Sequence, residues 1–142
     1  MAELKFTVPI NASPEKVYAA VATQAGMRSW WTADTMMDEK VGGKAEFGFE
    51  KHQMVFRMTV EKLEPGRCVV MSCHGDHPEW KGTTLRWDIG KGDNRETTIR
   101  FVHSGWREVT DFCASCNAMW GNLMFRLKDS VEGQSRGPQW ND

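Results

Sequence analysis

Apolar and polar side chains alternate with a period of two along most of the first hundred residues. Beyond Thr110 the period changes to three and four. The first rhythm belongs to strands with one buried face, the second to an amphipathic helix. Leu4, Phe6, Val8 and Ile10, set against Lys5, Thr7 and Pro9, predict an opening strand. Asn11 to Glu15 then starts a helix, with Ser13 at the N-cap and Pro14 where its missing N–H costs nothing. Val17, Ala20 and Val21 form a short buried stripe, Gly26 breaks the helix, and Met27 to Trp31 reads as a second short one. Thr32 to Val41 lacks a rhythm and is expected to be an irregular link, a natural place for a mobile lid.

Strands follow in close order. Gly42-Gly43 marks a turn or bulge, and Ala45, Phe47 and Phe49 alternate through Lys44 to Glu50. Met54, Phe56, Met58 and Val60 share one face of Gln53 to Leu63. After the turn Glu64 to Arg67, Val69, Met71 and Cys73 share a face of Cys68 to His74. A loop at Gly75 to Pro78 leads to Lys81 to Ile89, where Leu85 and Trp87 lie on one side. Gly90 to Asn94 reads as a hairpin turn. Ile99, Phe101 and His103 then face one way along Arg95 to His103, and Trp106 sits in the link that follows.

The stretch from Thr110 to Glu132 reads as one long helix. Phe112, Cys116, Met119, Trp120, Leu123, Leu127 and Val131 share a face, with Cys113 and Met124 at its edge. Thr110 can cap its start, Asp111 suits the positive end, and Gly133 suits the stop. Phe125 points away from that face, toward a subunit contact or plain solvent. The order strand, two short helices, antiparallel meander, long helix predicts an α+β domain. In it the sheet curls around the last helix.

Composition narrows the function classes. A chain of 142 residues with a net charge of -1 gives no reason to expect nucleic acid or an anionic membrane as partner. No apolar run is long enough to enter a bilayer, and Met1 to Pro9 carries Glu3 and Lys5, unlike a signal peptide. The 4 Cys read as free thiols of a cytoplasmic protein. The 7 Trp and 9 Met against 1 Tyr are bulky, adaptable side chains that suit an irregular cavity or an ordinary core.

Three stretches near the start, together with two near the end, carry a resemblance. They are Ser13-Pro14-Glu15-Lys16-Val17-Tyr18, Ser29-Trp30-Trp31-Thr32 and Val41-Gly42-Gly43-Lys44, then His103-Ser104-Gly105-Trp106 and Met119-Trp120. Their order and spacing resemble a family of the START-like (SRPBCC, helix-grip) superfamily, the one named for the activator of the heat-shock protein 90 ATPase. The resemblance spans nearly the whole chain. It implies a helix-grip domain, here over residues 1–133, with a cavity between sheet and long helix; the polar stretch after Gly133, with Gly137 and Pro138, reads as a flexible tail over 134–142. It does not settle activity, because relatives include lipid carriers, receptors and aromatase-cyclases. The co-chaperone of that family has a further N-terminal domain for which this chain has no room, so chaperone activation is discounted. Thr23 to Met27 also lacks the family's proline-containing turn.

The expected ligand site follows from that cavity. Trp30 and Trp31 would close its mouth, and Phe47, Phe56, Met58, Met71, Trp87 and Phe101 would line it from the sheet. Trp106, Cys116, Trp120 and Met124 would line it from the helix side, with His103 as the polar group. The alternative is that these side chains meet and fill the space. The leading expectation is a binder of a small hydrophobic molecule, without a cofactor, as a monomer or weak homodimer. The second is a cyclase or dehydratase using His103 as acid or base, for which no paired carboxylate is evident. The third is a protein-interaction adaptor. Cys113 and Cys116 form a C-x-x-C that reads as two small apolar side chains or as a redox pair. Cys73-His74-Gly75-Asp76-His77 has the right atoms for zinc but lacks a paired motif of standard spacing, so no metal is expected.

Overall fold

The computed structural model describes residues 1–93 and 95–141. Period-two alternation builds seven strands: β1 (Ala2–Ile10), β2 (Thr35–Met37), β3 (Lys44–Phe49), β4 (Met54–Glu64), β5 (Cys68–Cys73), β6 (Thr84–Lys91) and β7 (Thr97–Trp106). They form one antiparallel sheet in the order β1-β7-β6-β5-β4-β3-β2. The first strand pairs with the last, so the meander from β2 to β7 is continued by β1 at its far edge. Inward positions repeat in register: Phe6 opposite Phe101, Phe101 opposite Trp87, Phe47 opposite Phe56. Gly105, at φ +92, sits where an added Cβ would crowd the Gly82 and Thr83 backbone, so β7 needs glycine as it passes β6.

Helix α1 (Pro14–Ala22) starts as its sequence implies, with the Ser13 hydroxyl accepting from the Lys16 N–H and Pro14 in the first turn. Helix α2 (Gln24–Trp30) follows after one residue, Thr23, whose hydroxyl accepts from the Gly26 N–H. Gly26 therefore does not break a helix. It lies inside the second one, where a Cβ would overlap the Ala19 carbonyl, so glycine lets the two backbones touch. Helix α3 (Asp111–Val131) is capped by Thr110, which accepts from the Cys113 N–H. Its buried face, Cys113, Cys116, Trp120, Leu123, Met124 and Leu127, joins the core with the inward residues of the sheet. This is the helix-grip arrangement, a curved sheet around a long last helix.

Two other expectations are corrected. Thr32 to Val41 is not a lid: Thr35–Met37 is an edge strand paired with β3, and Thr32 and Thr35 are buried, the first donating to the Gly48 carbonyl at 2.7 Å. The end of the chain is not frayed at 139–140. Gln139 and Trp140 donate to the Trp30 and Trp31 carbonyls, and Ala33 donates back to the Trp140 carbonyl at 2.9 Å. The hairpin turn read at Gly90 to Asn94 reaches Asn94, and the tail reaches Asp142, both outside the described residues.

Candidate functional site

Packing is dense along most of α3 but opens near its start. The first two turns of the helix offer Phe112, Ser115, Cys116 and Met119. Facing them is the β3–β4 hairpin, with Phe49 and Glu50 at the end of one strand and Met54 and Phe56 at the start of the next. The buried rings of Trp31 and Trp80 and the half-buried ring of Trp140 complete the walls. The space between these walls, partly open to solvent, is about 310 Å³, at the small end of ligand pockets, which run from about 300 to 1,000 Å³.

The walls hold one another in place by ring contacts. Trp80 meets Phe56 edge-on at 4.5 Å, and Phe49 meets both Phe56 and Trp140 edge-on, at 5.6 and 4.9 Å. Trp31 stacks on Phe47 at 4.2 Å. His77 stacks flat on Phe112 at 4.0 Å, which steadies the first turn of α3. Trp140 is seated by the backbone bonds to Trp31 and Ala33. The segment before it is tied to α3 by Asn122 donating to Gln139 and Arg126 donating to the Gly137 carbonyl.

Only three of the residues singled out from sequence line this space: Trp31, Phe56 and Cys116. The others are packed core. Phe47, Met58, Met71, Trp87, Phe101, Trp106, Trp120 and Met124 are buried among one another. The Trp30 indole donates to the Ala20 carbonyl at 2.9 Å and ties α2 to α1. The reason is one of position along the helix. Farther along α3, Trp120 packs on Phe101 of β7 at 4.5 Å, and Met124 is buried in the same core. The hollow lies beside the first turns instead. Sequence reasoning placed Phe49, Met54, Phe112 and Met119 on inward faces without assigning them to a site. Trp80 and Trp140 it passed over, because one lies in a loop and the other in a polar tail. A bulky apolar ring in either place was itself the signal.

His103 is inside the protein and fully buried; it does not line the cavity, but its ring meets the wall residue Trp80 edge-on at 4.6 Å. The Trp120 indole donates to its Nδ1 at 3.1 Å, so the ring proton is on Nε2. That nitrogen donates to the Thr83 hydroxyl at 2.9 Å, which donates in turn to the Trp80 carbonyl. Burial pushes its pKa down to about 3, so the ring is neutral with both nitrogens engaged. Burial likewise raises the Cys113 thiol, and raises Cys116 to about 11 against the pull of the nearby Trp80 N–H, which lies short of hydrogen-bond geometry. All four cysteines are buried and free, and a thiol raised in this way is a poor nucleophile. His74 and Asp76 are engaged elsewhere, with Thr59 and Arg57. Among the described residues no group of three or more potential ligands is placed to hold a metal ion.

A model of the family described as activator of Hsp90 ATPase homolog 1-like protein matches residues 11–132. The chain belongs to that family. Its likeness extends to solved structures. The Aha1 dimer from Colwellia psychrerythraea, determined in solution, is 35% identical, with a TM-score of 0.84 over 94% of this chain and 98% of that one. A protein of Mesorhizobium loti at 14% identity has a TM-score of 0.82 over 94% and 99% of the two chains. One from Bacillus halodurans at 21% has 0.77 over 93% and 98%. These last two show likeness of fold alone. No curated protein matches the chain in sequence. No described helix is long and apolar enough to cross a membrane.

Proposed function

We propose that this chain binds a small hydrophobic or aromatic molecule between the first turns of α3 and the β3–β4 hairpin. The observation that carries the reading is the space of about 310 Å³ walled by six aromatic rings and two thioethers. An apolar, aromatic cleft open to solvent on one side, with few polar groups, is the kind of surface a small hydrophobic ligand covers. The setting is a cytoplasmic one, where four free thiols stay reduced, and the molecule acts as a monomer or weak homodimer. The cyclase or dehydratase reading has less support. The group it needs, His103, is neutral, has both nitrogens bonded and does not reach the cavity.

Trp31, Trp80 and Trp140 all border the cavity, so intrinsic fluorescence reports occupancy. A panel of small aromatic and aliphatic compounds is expected to contain members giving a saturable change. Ser115→Phe tests the location, because Ser115 is an exposed wall residue whose hydroxyl bonds only to the carbonyl a turn back. The new ring would occupy the space with the far-ultraviolet circular dichroism unchanged, and binding should fall by tenfold or more, about 1.4 kcal/mol. A flat response of the unaltered protein to the whole panel would refute the reading.

A further inference from the structure

Resting on that reading, we propose that the cavity is selective for an organic cation, an alkyl- or arylammonium group held against aromatic faces and neutralised by Glu50. Trp31, Phe49, Phe56, Trp80, Phe112 and Trp140 offer six rings around one small space. The faces of such rings carry partial negative charge and attract a cation that has shed its water. Met54 and Met119 add polarisable sulfur without charge. Among the described residues that line the cavity, Glu50 bears the one charged side chain, and it makes no ion pair with any described residue. Neighbouring acids are taken: Asp34 holds His52, Asp76 holds Arg57, and Glu79 accepts from Thr110.

The backbone gives the second reason. Glu50, Lys51 and His52 lie in succession at φ 52, 59 and 68, a left-handed run that residues with a Cβ adopt at a cost. The Gln53 N–H bonding to the Glu50 carbonyl at 3.2 Å and the His52 ring bonding to Asp34 at 2.5 Å hold the run in place. Asp34 in turn lies so close to Gly48 that any Cβ there would overlap it. The four residues Glu50 to Gln53 join Phe49 to Met54, and the turn leaves Glu50 exposed among the residues that border the aromatic box. The opposing field is weak, because the positive end of α3 is already met by the Thr110 hydroxyl and by Asp111. A carboxylate ligand would face repulsion from Glu50, and a neutral one would leave it unused.

The test is a matched pair of probes, phenyltrimethylammonium and tert-butylbenzene, which share shape and differ in one unit of charge. Titrated at low ionic strength by tryptophan fluorescence, the cation should bind roughly tenfold more tightly. Glu50→Gln should remove most of that preference, read as the ratio of the two affinities measured in the same variant. Equal affinity for the two probes would overturn the cation selectivity while leaving an apolar site standing. A preference untouched by Glu50→Gln would overturn the role given to the carboxylate. Silence toward both probes and toward the wider panel would remove the site itself.

Discussion

His103 shows what alternation along a strand can and cannot tell. Its place beside Phe101 and Ile99 on the inward face of β7 was legible in the sequence, and the structure buries it there. Whether it was a proton carrier or a packing residue depended on Thr83 and Trp120, which are 20 and 17 residues away in the chain. Such partners have no local signature. The bonded ring has a consequence for stability. Folding lowers its pKa from 6.5 to about 3, so between these values the unfolded chain holds a proton at this site that the folded chain lacks. The group's contribution is therefore complete above pH 6.5 and is lost as pH falls toward 3, with a slope of up to about 1.4 kcal/mol per pH unit. His103→Gln keeps a polar side chain but carries no proton equilibrium. Denaturant titrations from pH 7 to 4.5 should show a stability slope shallower by about one proton in this variant. Parallel slopes would mean that the ring is protonated in the folded state.

At the scale of elements, the helices and most strands followed from periodicity and caps, as Ser13, Thr110 and the α3 stripe illustrate. Two elements did not. Strand β2 is three residues long, too short for alternation to register, and exists because its neighbour β3 offers an edge. The segment leading to Trp140 is polar and carries glycine, which reads as tail. It is held by backbone bonds to Trp30, Trp31 and Ala33 and by one ring packed on Phe49. A strand-like contact of this kind is decided by tertiary context, which a local pattern does not contain. Trp140 should then behave as part of the cavity wall. Trp140→Ala removes a half-buried ring, so a loss of about 1–2 kcal/mol is expected, below the roughly 3–5 of a fully buried tryptophan. Affinity for whichever panel compound binds best should fall with it. Urea unfolding and fluorescence titration measure the two effects. A variant as stable as the parent would mean that the end of the chain is not docked in solution.

For the molecule as a whole, the order of elements was enough to foresee a sheet wrapped on its last helix, because a meander with one apolar face must be covered by whatever helix follows it. The position of the hollow was not foreseeable, since it arises from a mismatch in filling at one end of that helix. Self-association is a property of this same scale. The relative from Colwellia psychrerythraea is a dimer, and the edge strands of the sheet here are β1 and β2, the second with its Thr35 carbonyl and Met37 N–H taken by the Arg28 and Gln24 side chains of α2. Neither invites a second sheet. Strand β1 carries exposed Glu3, Lys5 and Pro9, and β2 offers only three residues. Phe125 is the better contact, on the outer face of α3 and 57% exposed amid polar neighbours. One ring and its rim bury little area, so any dimer formed there should be weak, with a dissociation constant above roughly 1 μM. Sedimentation across a concentration series should show a monomer–dimer equilibrium that Phe125→Ser shifts to monomer. The cavity lies on the inner face of the same helix, so ligand affinity in that variant should stay as it was. A tight dimer indifferent to Phe125→Ser would place the contact on another surface.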